Sequence, residues 1–188
     1  EQWYQLMADS IGKMKSSAPF TGRNAIVTIP PGKTRIAHIK MKKLKSLTKD
    51  EIYSKVKNNL DFNPQDYIID YSIAEDDNLV IMAAKRDETS KYLQIYDRSR
   101  LQINAIIFWP TAMTNSYINF FGRRKSDHSK LIALLDMESN RTNIVFCRHK
   151  QLLYAFSINI GARQLNCIKN KKDEFTQTFQ QKIEDFRT

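Results

Sequence analysis

Apolar residues change period several times along this chain, and each change marks an element. Trp3, Leu6, Met7, Ile11 and Met14 recur at helical spacing and predict a helix over 3–14 that ends near Ser16-Ser17-Ala18-Pro19. Residues 24–29 then read as a strand, Pro30-Pro31-Gly32 as a turn, and residues 34–41 as a half-buried strand of alternating character. Thr48 and Glu51 have the spacing of a capping box, in which each side chain satisfies an end-of-helix amide of the other. Ile52, Val56 and Leu60 stack on one face of the helix that follows. It must stop before Pro64, because a proline pushes the preceding residue out of the helical region. Strands over 67–73 and 78–85 flank the short acidic turn Glu75-Asp76-Asp77, so an antiparallel hairpin is expected.

A second amphipathic helix over 88–98 turns Tyr92, Ile95 and Tyr96 inward, and 101–108 returns as a strand. Residues 34–108 therefore read β-α-β-β-α-β, a compact split arrangement with a helical layer on a sheet. Pro110 suits the first turn of a helix over 111–121, where its missing N–H costs nothing. The aromatics Tyr92, Tyr96, Phe108, Trp109, Tyr117, Phe120 and Phe121 gather here and are expected mostly in the core. The polar stretch 122–129 is the expected domain boundary. Beyond it come strands over 131–136, 143–147 and 152–159, a meander, then a charged helix over 172–186. The fold class is α/β (α+β), without internal repeats or low-complexity linkers.

Candidate chemistry concentrates in the hairpin over 131–146, two apolar runs hinged on Asp136 and a polar turn. In an Asp-x-Gly hairpin the Asp positions a metal or its water, and the glycine lets backbone N–H groups close on phosphate oxygens. Here the glycine position is Glu138, which adds bulk where the backbone should approach and negative charge where a phosphate should sit. Thr142 offers a hydroxyl, and Gly161 stands just after a strand, where a glycine usually supplies a positive φ. Asp136 has an ordinary reading too, as a residue ending a strand by bonding its own turn. His38, His128 and His149 are isolated from one another in sequence, and none sits beside a Ser or Cys in a nucleophilic arrangement. Glu75, Asp76 and Asp77 lack the alternating ligands and glycine of a calcium loop.

Composition narrows this further. At 188 residues and 41% hydrophobic content the chain can bury a core as one domain or two small ones. No run reaches the roughly 20 apolar residues that span a bilayer, and residues 1–4 do not begin a secretory leader. A soluble, cytoplasmic chain is expected. Cys147 and Cys167 have no short ligand spacing, so reduced thiols are expected and a zinc site is not. The net charge of +10 invites a nucleic-acid reading. Only residues 40–45 form a dense basic cluster, and Met and Leu interleave it instead of stacking aromatics.

The order of these segments resembles the actin-like ATPases of the FtsA and PilM type. Residues 24–30 look like the PilM branch's strand and Pro turn, 51–70 like its inserted helix, and Val80-Ile81-Met82-Ala83-Ala84-Lys85-Arg86 like its strand ending on a basic residue. Residues 101–108 with Pro110-Thr111-Ala112-Met113 resemble the next strand and helix, and Asp136 and 160–165 fall at its second phosphate motif and glycine turn. The resemblance implies a partial subdomain 1A over 1–33, an inserted SHS2-like subdomain 1C over 34–108, a return helix and linker over 109–129, and a partial subdomain 2A over 130–188. Asp136, Thr142 and Gly161 would be vestigial cofactor contacts; the family binds ATP and magnesium, but no cofactor is expected here. The family's first nucleotide hairpin and its later adenosine motif have no counterpart in these residues, which implies a fragment or a reduced relative. The implied role is a non-hydrolysing cytoplasmic scaffold of a type IV pilus or related secretion machine at the inner face of the inner membrane. It would dock a PilN-like tail through Ile36, Ile39, Met41, Val80, Met82 and Phe108, and it could form a homo-oligomer. A working ATPase completed by sequence elsewhere and a basic nucleic-acid-binding module are the alternatives.

Overall fold

A computed structural model describes residues 2–17, 22–41, 48–58, 61–75, 77–167 and 170–187. Leu60, Asp76 and the basic residues 42–45 lie outside them. Helix α1 (Gln2–Ser17) leads into β1 (Asn24–Ile29), and β2 (Arg35–Lys40) follows the Pro-Gly turn. Next come α2 (Lys49–Asn58), β3 (Tyr67–Ile73), β4 (Asn78–Lys85), α3 (Arg86–Arg98), β5 (Gln102–Phe108) and α4 (Trp109–Phe121). The last part holds β6 (Leu131–Met137), β7 (Thr142–Arg148), β8 (Gln151–Ile158), α5 (Ala162–Cys167) and α6 (Asn170–Arg187).

Three sheets result: β1 parallel to β5, the antiparallel order β2-β4-β3, and the antiparallel meander β6-β7-β8. The chain order β-α-β-β-α-β over 34–108 is present, but its last strand leaves the module and pairs with β1 from Asn24↔Gln102 to Ile29↔Phe108. The reason is hydrogen-bond supply. Both edges of β4 are already taken by β2 and β3, whereas β1 alone would leave its backbone groups unpaired. A parallel pair also needs a long crossover, and the inserted segment provides one.

The sequence Leu79-Val80-Ile81-Met82-Ala83-Ala84 is buried throughout because β4 is covered on both faces. Leu79 and Ile81 meet Met41, Ile52 and Val56, which bring α2 onto one side. Val80, Met82 and Ala84 join Phe108, Trp109, Val145 and Leu153 on the other. Helix α2 starts as expected: Thr48 N donates to Glu51 Oε2 at 2.8 Å, and Glu51 N to Thr48 Oγ1 at 3.4 Å. Helix α6 packs Phe175, Phe179, Ile183 and Phe186 on Ile144, Phe146, Tyr154 and Phe156. Four of the aromatics expected in the core are not part of it: Tyr92 and Tyr96 are only half-buried, and of the other two Phe120 is 74% exposed and Phe121 is 40% exposed. Both fall at the end of α4, whose buried positions are Trp109, Pro110, Thr114 and Tyr117. Burial pushes the Cys147 thiol up to about 11, which makes it an inert core residue.

Candidate functional site: the Asp136 hairpin

The β6–β7 register sets Asp136 directly opposite Asn143. Glu138 is two positions further on and so returns to the same face. Asn143 is fully buried. Its Nδ2 donates to Asp136 Oδ2 at 3.0 Å and to Glu138 Oε1 at 2.9 Å, and its Oδ1 accepts from Ser157 Oγ at 2.8 Å. Thr142, equally buried, donates to the Ile160 carbonyl at 2.8 Å and is spent inside the fold. The turn itself is locked by backbone bonds: Glu138 N to Arg141 O at 2.8 Å, Ala162 N to Glu138 O at 2.9 Å and Arg163 N to Ser139 O at 3.0 Å.

Asp136, Thr142 and Gly161 lie at one end of the third sheet. The role of Gly161 differs from the expected one. Its φ is not positive; among the described glycines only Gly22 is left-handed, at 92°. Gly161 is required by close approach, since a Cβ there would meet Arg141 N and Glu138 O at 2.4 Å. Asn143 is the member that sequence reading missed. Its signal was an amide at the head of an apolar run, facing two carboxylates across the turn.

Both side-chain amide protons of Asn143 are committed to carboxylates, and the amides of Glu138, Ala162 and Arg163 to carbonyls. A phosphate arriving here would find two carboxylates, each repelling it by about 1 kcal/mol or more at surface dielectric. The Arg141 side chain points away from the two carboxylates. Arg141 Nε donates to Asn159 Oδ1 at 3.3 Å, and its guanidinium lies over Gly32, where a Cβ would be 3.2 Å from Nη1.

The residues expected to receive a partner are mostly inside the molecule. Met41, Val80, Met82 and Phe108 are buried and serve the two cores that flank β4. Apolar alternation identifies a buried face without telling what covers it, and here the protein covers it. Ile36 and Ile39 are half-buried on β2, an edge strand among the described residues, and line an open groove of about 510 Å³ with Arg35, Asp61 and Phe62. His38, which also borders this groove, accepts at Nε2 from Ala155 N at 3.3 Å, and its ring stacks on Tyr154 at 3.8 Å. Burial, then the Lys182 ammonium, lowers the His38 pKa to about 4, with Asp185 opposing.

The histidines are less isolated in space than in sequence, because His128 and His149 bring their rings to 4.0 Å. Burial, His128 and Lys150 all lower the His149 pKa. Among the described residues no group of three or more His, Cys, Asp or Glu could hold a metal ion. No described helix is long and apolar enough to cross a membrane.

This three-sheet arrangement has close structural counterparts. A chain of a PilM-PilN type IV pilus biogenesis complex superposes with a TM-score of 0.62 over 97% of this chain, at 15% identity. The fold is PilM-like. The cytoplasmic domain of EpsL, an inner membrane component of the type II secretion system of Vibrio cholerae, superposes with a TM-score of 0.52 over 81% of this chain, at 8% identity. The chain spans 58% and 56% of those two chains. No protein-family profile and no curated protein matches its sequence.

Proposed function

We propose that this chain is a docking scaffold of a type IV pilus or related secretion machine, an actin-like relative that holds the cytoplasmic tail of a PilN-like inner-membrane protein and does not hydrolyse ATP. The fold likeness to the pilus and secretion chains supports the setting. The observation that carries the non-hydrolysing part is the Asn143 clamp. It ties Asp136 and Glu138 side by side where a phosphate-binding hairpin would present a glycine and free N–H groups. Residues 34–98, without β5, supply the insertion, and 130–188 the half of the core that bears the hairpin. The surface for the tail is the outer edge of β2 with Ile36 and Ile39. There an extended peptide can add a strand, with backbone bonds giving affinity and side-chain pockets giving register. The inner face of the inner membrane is the location that such a partner sets.

Titration calorimetry separates the two halves of the proposal. Mg-ATP is expected to give no binding heat, and a synthetic PilN-like cytoplasmic tail is expected to bind and to shift the amide resonances of residues 35–40. Micromolar Mg-ATP affinity would sink the non-hydrolysing part. A tail that binds while leaving β2 unperturbed would move the docking surface, and no binding by any such tail would remove the adaptor reading.

A further inference from the structure

A cleft of about 360 Å³ lies at the junction of the inserted sheet and the third sheet. The Pro31-Gly32 turn and β2 form one wall, β8 forms the other, and α6 reaches it through Lys182. Its charged lining is cationic. Arg141 and Lys182 are present, no Asp or Glu among the described residues lines it, and His38, with its pKa near 4, is neutral.

Two contacts hold Arg141 in place. Its Nε donates to Asn159 Oδ1 at 3.3 Å, and its guanidinium rests on Gly32, where a Cβ would stand 3.2 Å from Nη1. Gly32 is not left-handed, so its backbone gives no reason for a glycine, whereas room for the guanidinium does. Nη1 and Nη2 have no hydrogen-bond partner among the described residues. Asn159, with Oδ1 spent on Arg141, keeps the two N–H donors of its amide.

Charge and shape select the anion. Lys182 Nζ donates to Asp185 Oδ2 at 2.8 Å, which cancels one of the two positive charges and leaves one. A carboxylate balances that charge, whereas a phosphate monoester carries up to about two negative charges near neutral pH. The planar fork of a guanidinium also matches the two oxygens of a carboxylate. The volume is at the low end of small-molecule sites, which run from about 300 to 1,000 Å³. Ile36, Tyr154 and Phe156 supply apolar wall for the rest of a ligand.

We propose that Arg141, steadied by Gly32 and Asn159, binds the carboxylate of a small monocarboxylic acid in this cleft. The acid then bridges the inserted sheet and the third sheet, because the walls come from both. This inference does not depend on the docking reading.

Heteronuclear NMR titration of the 188-residue chain with sodium benzoate, benzamide and inorganic phosphate tests it. Benzoate is expected to bind and to shift the Arg141 Nε–H and Asn159 side-chain amide resonances. Benzamide, its neutral analogue, and phosphate are each expected to bind at least about tenfold more weakly. Arg141→Gln is expected to weaken benzoate about tenfold, and Arg141→Lys, which keeps the charge and loses the fork, about fivefold. Gly32→Ala, whose methyl group displaces the guanidinium, is expected to weaken it by a similar factor while the rest of the spectrum stays in place. No shift at about 10 mM benzoate overturns the proposal, as does binding indifferent to the Arg141 variants or shifts confined to other residues. Benzamide or phosphate binding as tightly as benzoate overturns the carboxylate assignment equally.

Discussion

Gly161 and Gly12 show how differently one residue type is used. At Gly161 any side chain would collide with backbone of the β6–β7 turn, at 2.4 Å from Arg141 N and Glu138 O, and backbone cannot yield as a side-chain tip can. Gly12 lies within α1, where an added Cβ meets nothing within 4 Å. Gly161→Ala is therefore expected to lower stability by about 1–3 kcal/mol through overpacking. Gly12→Ala should raise it by up to about 1 kcal/mol through helix propensity. Urea unfolding of the two variants reads both signs. The neighbouring Asn143 carries a heavier duty, holding two carboxylates and a serine from a fully buried position. This role was not legible in sequence because its partners lie on β6, on the turn and on β8.

At the scale of elements, α6 depends on aromatic contacts with the third sheet. Phe179 meets Phe146 at 6.4 Å edge-on, Phe156 at 6.2 Å and Phe175 at 6.2 Å in a stack. Phe179→Ala is expected to cost about 2 kcal/mol, below the usual cost for a fully buried phenylalanine. It should also free the α6 amides to exchange. Phe120→Ala, at a 74% exposed site, is expected to stay within about 0.5 kcal/mol. Comparing the two by denaturation and hydrogen exchange isolates the helix contact. The helix was visible beforehand from its periodicity. Which strands of the sheet it covers was not, since spacing within one helix does not say which strands it can reach.

Across the whole molecule, the inserted sheet and the third sheet are joined where β2 and β3 meet β8. Arg148 pairs with Glu75, Gln151 Nε2 donates to Ile73 O at 2.9 Å, and His38 sits between Tyr154 and the Ala155 amide. His38 makes this junction sensitive to pH. In the unfolded chain its imidazole takes a proton near 6.5, but in the folded chain only near 4, as desolvation of the ring stacked on Tyr154 and then Lys182 oppose the charge, an effect that solvent at the exposed remainder of the residue reduces. The unfolded state binds more protons between those values. Stability from this group is thus complete above about pH 6.5 and declines as pH falls towards 4. His38→Gln keeps an acceptor for the Ala155 amide and cannot ionise in this range. It is expected to flatten that part of a melting-temperature profile, and an unchanged slope would place the titration elsewhere.

The sequence by itself determined the order and type of nearly every element, because apolar period, capping residues and proline positions are local quantities. It determined as well that Asp136 is followed by a carboxylate two positions on, which the fold then turned into a clamp. Only the tertiary structure decided that β5 pairs with β1, that Val80, Met82 and Phe108 face inward, and that Gly161 is a point of close approach. Each of these depends on which distant segment supplies a hydrogen-bond partner, a covering face or a touching backbone. Such choices minimise the free energy of the whole chain and leave no mark in the spacing of neighbouring residues.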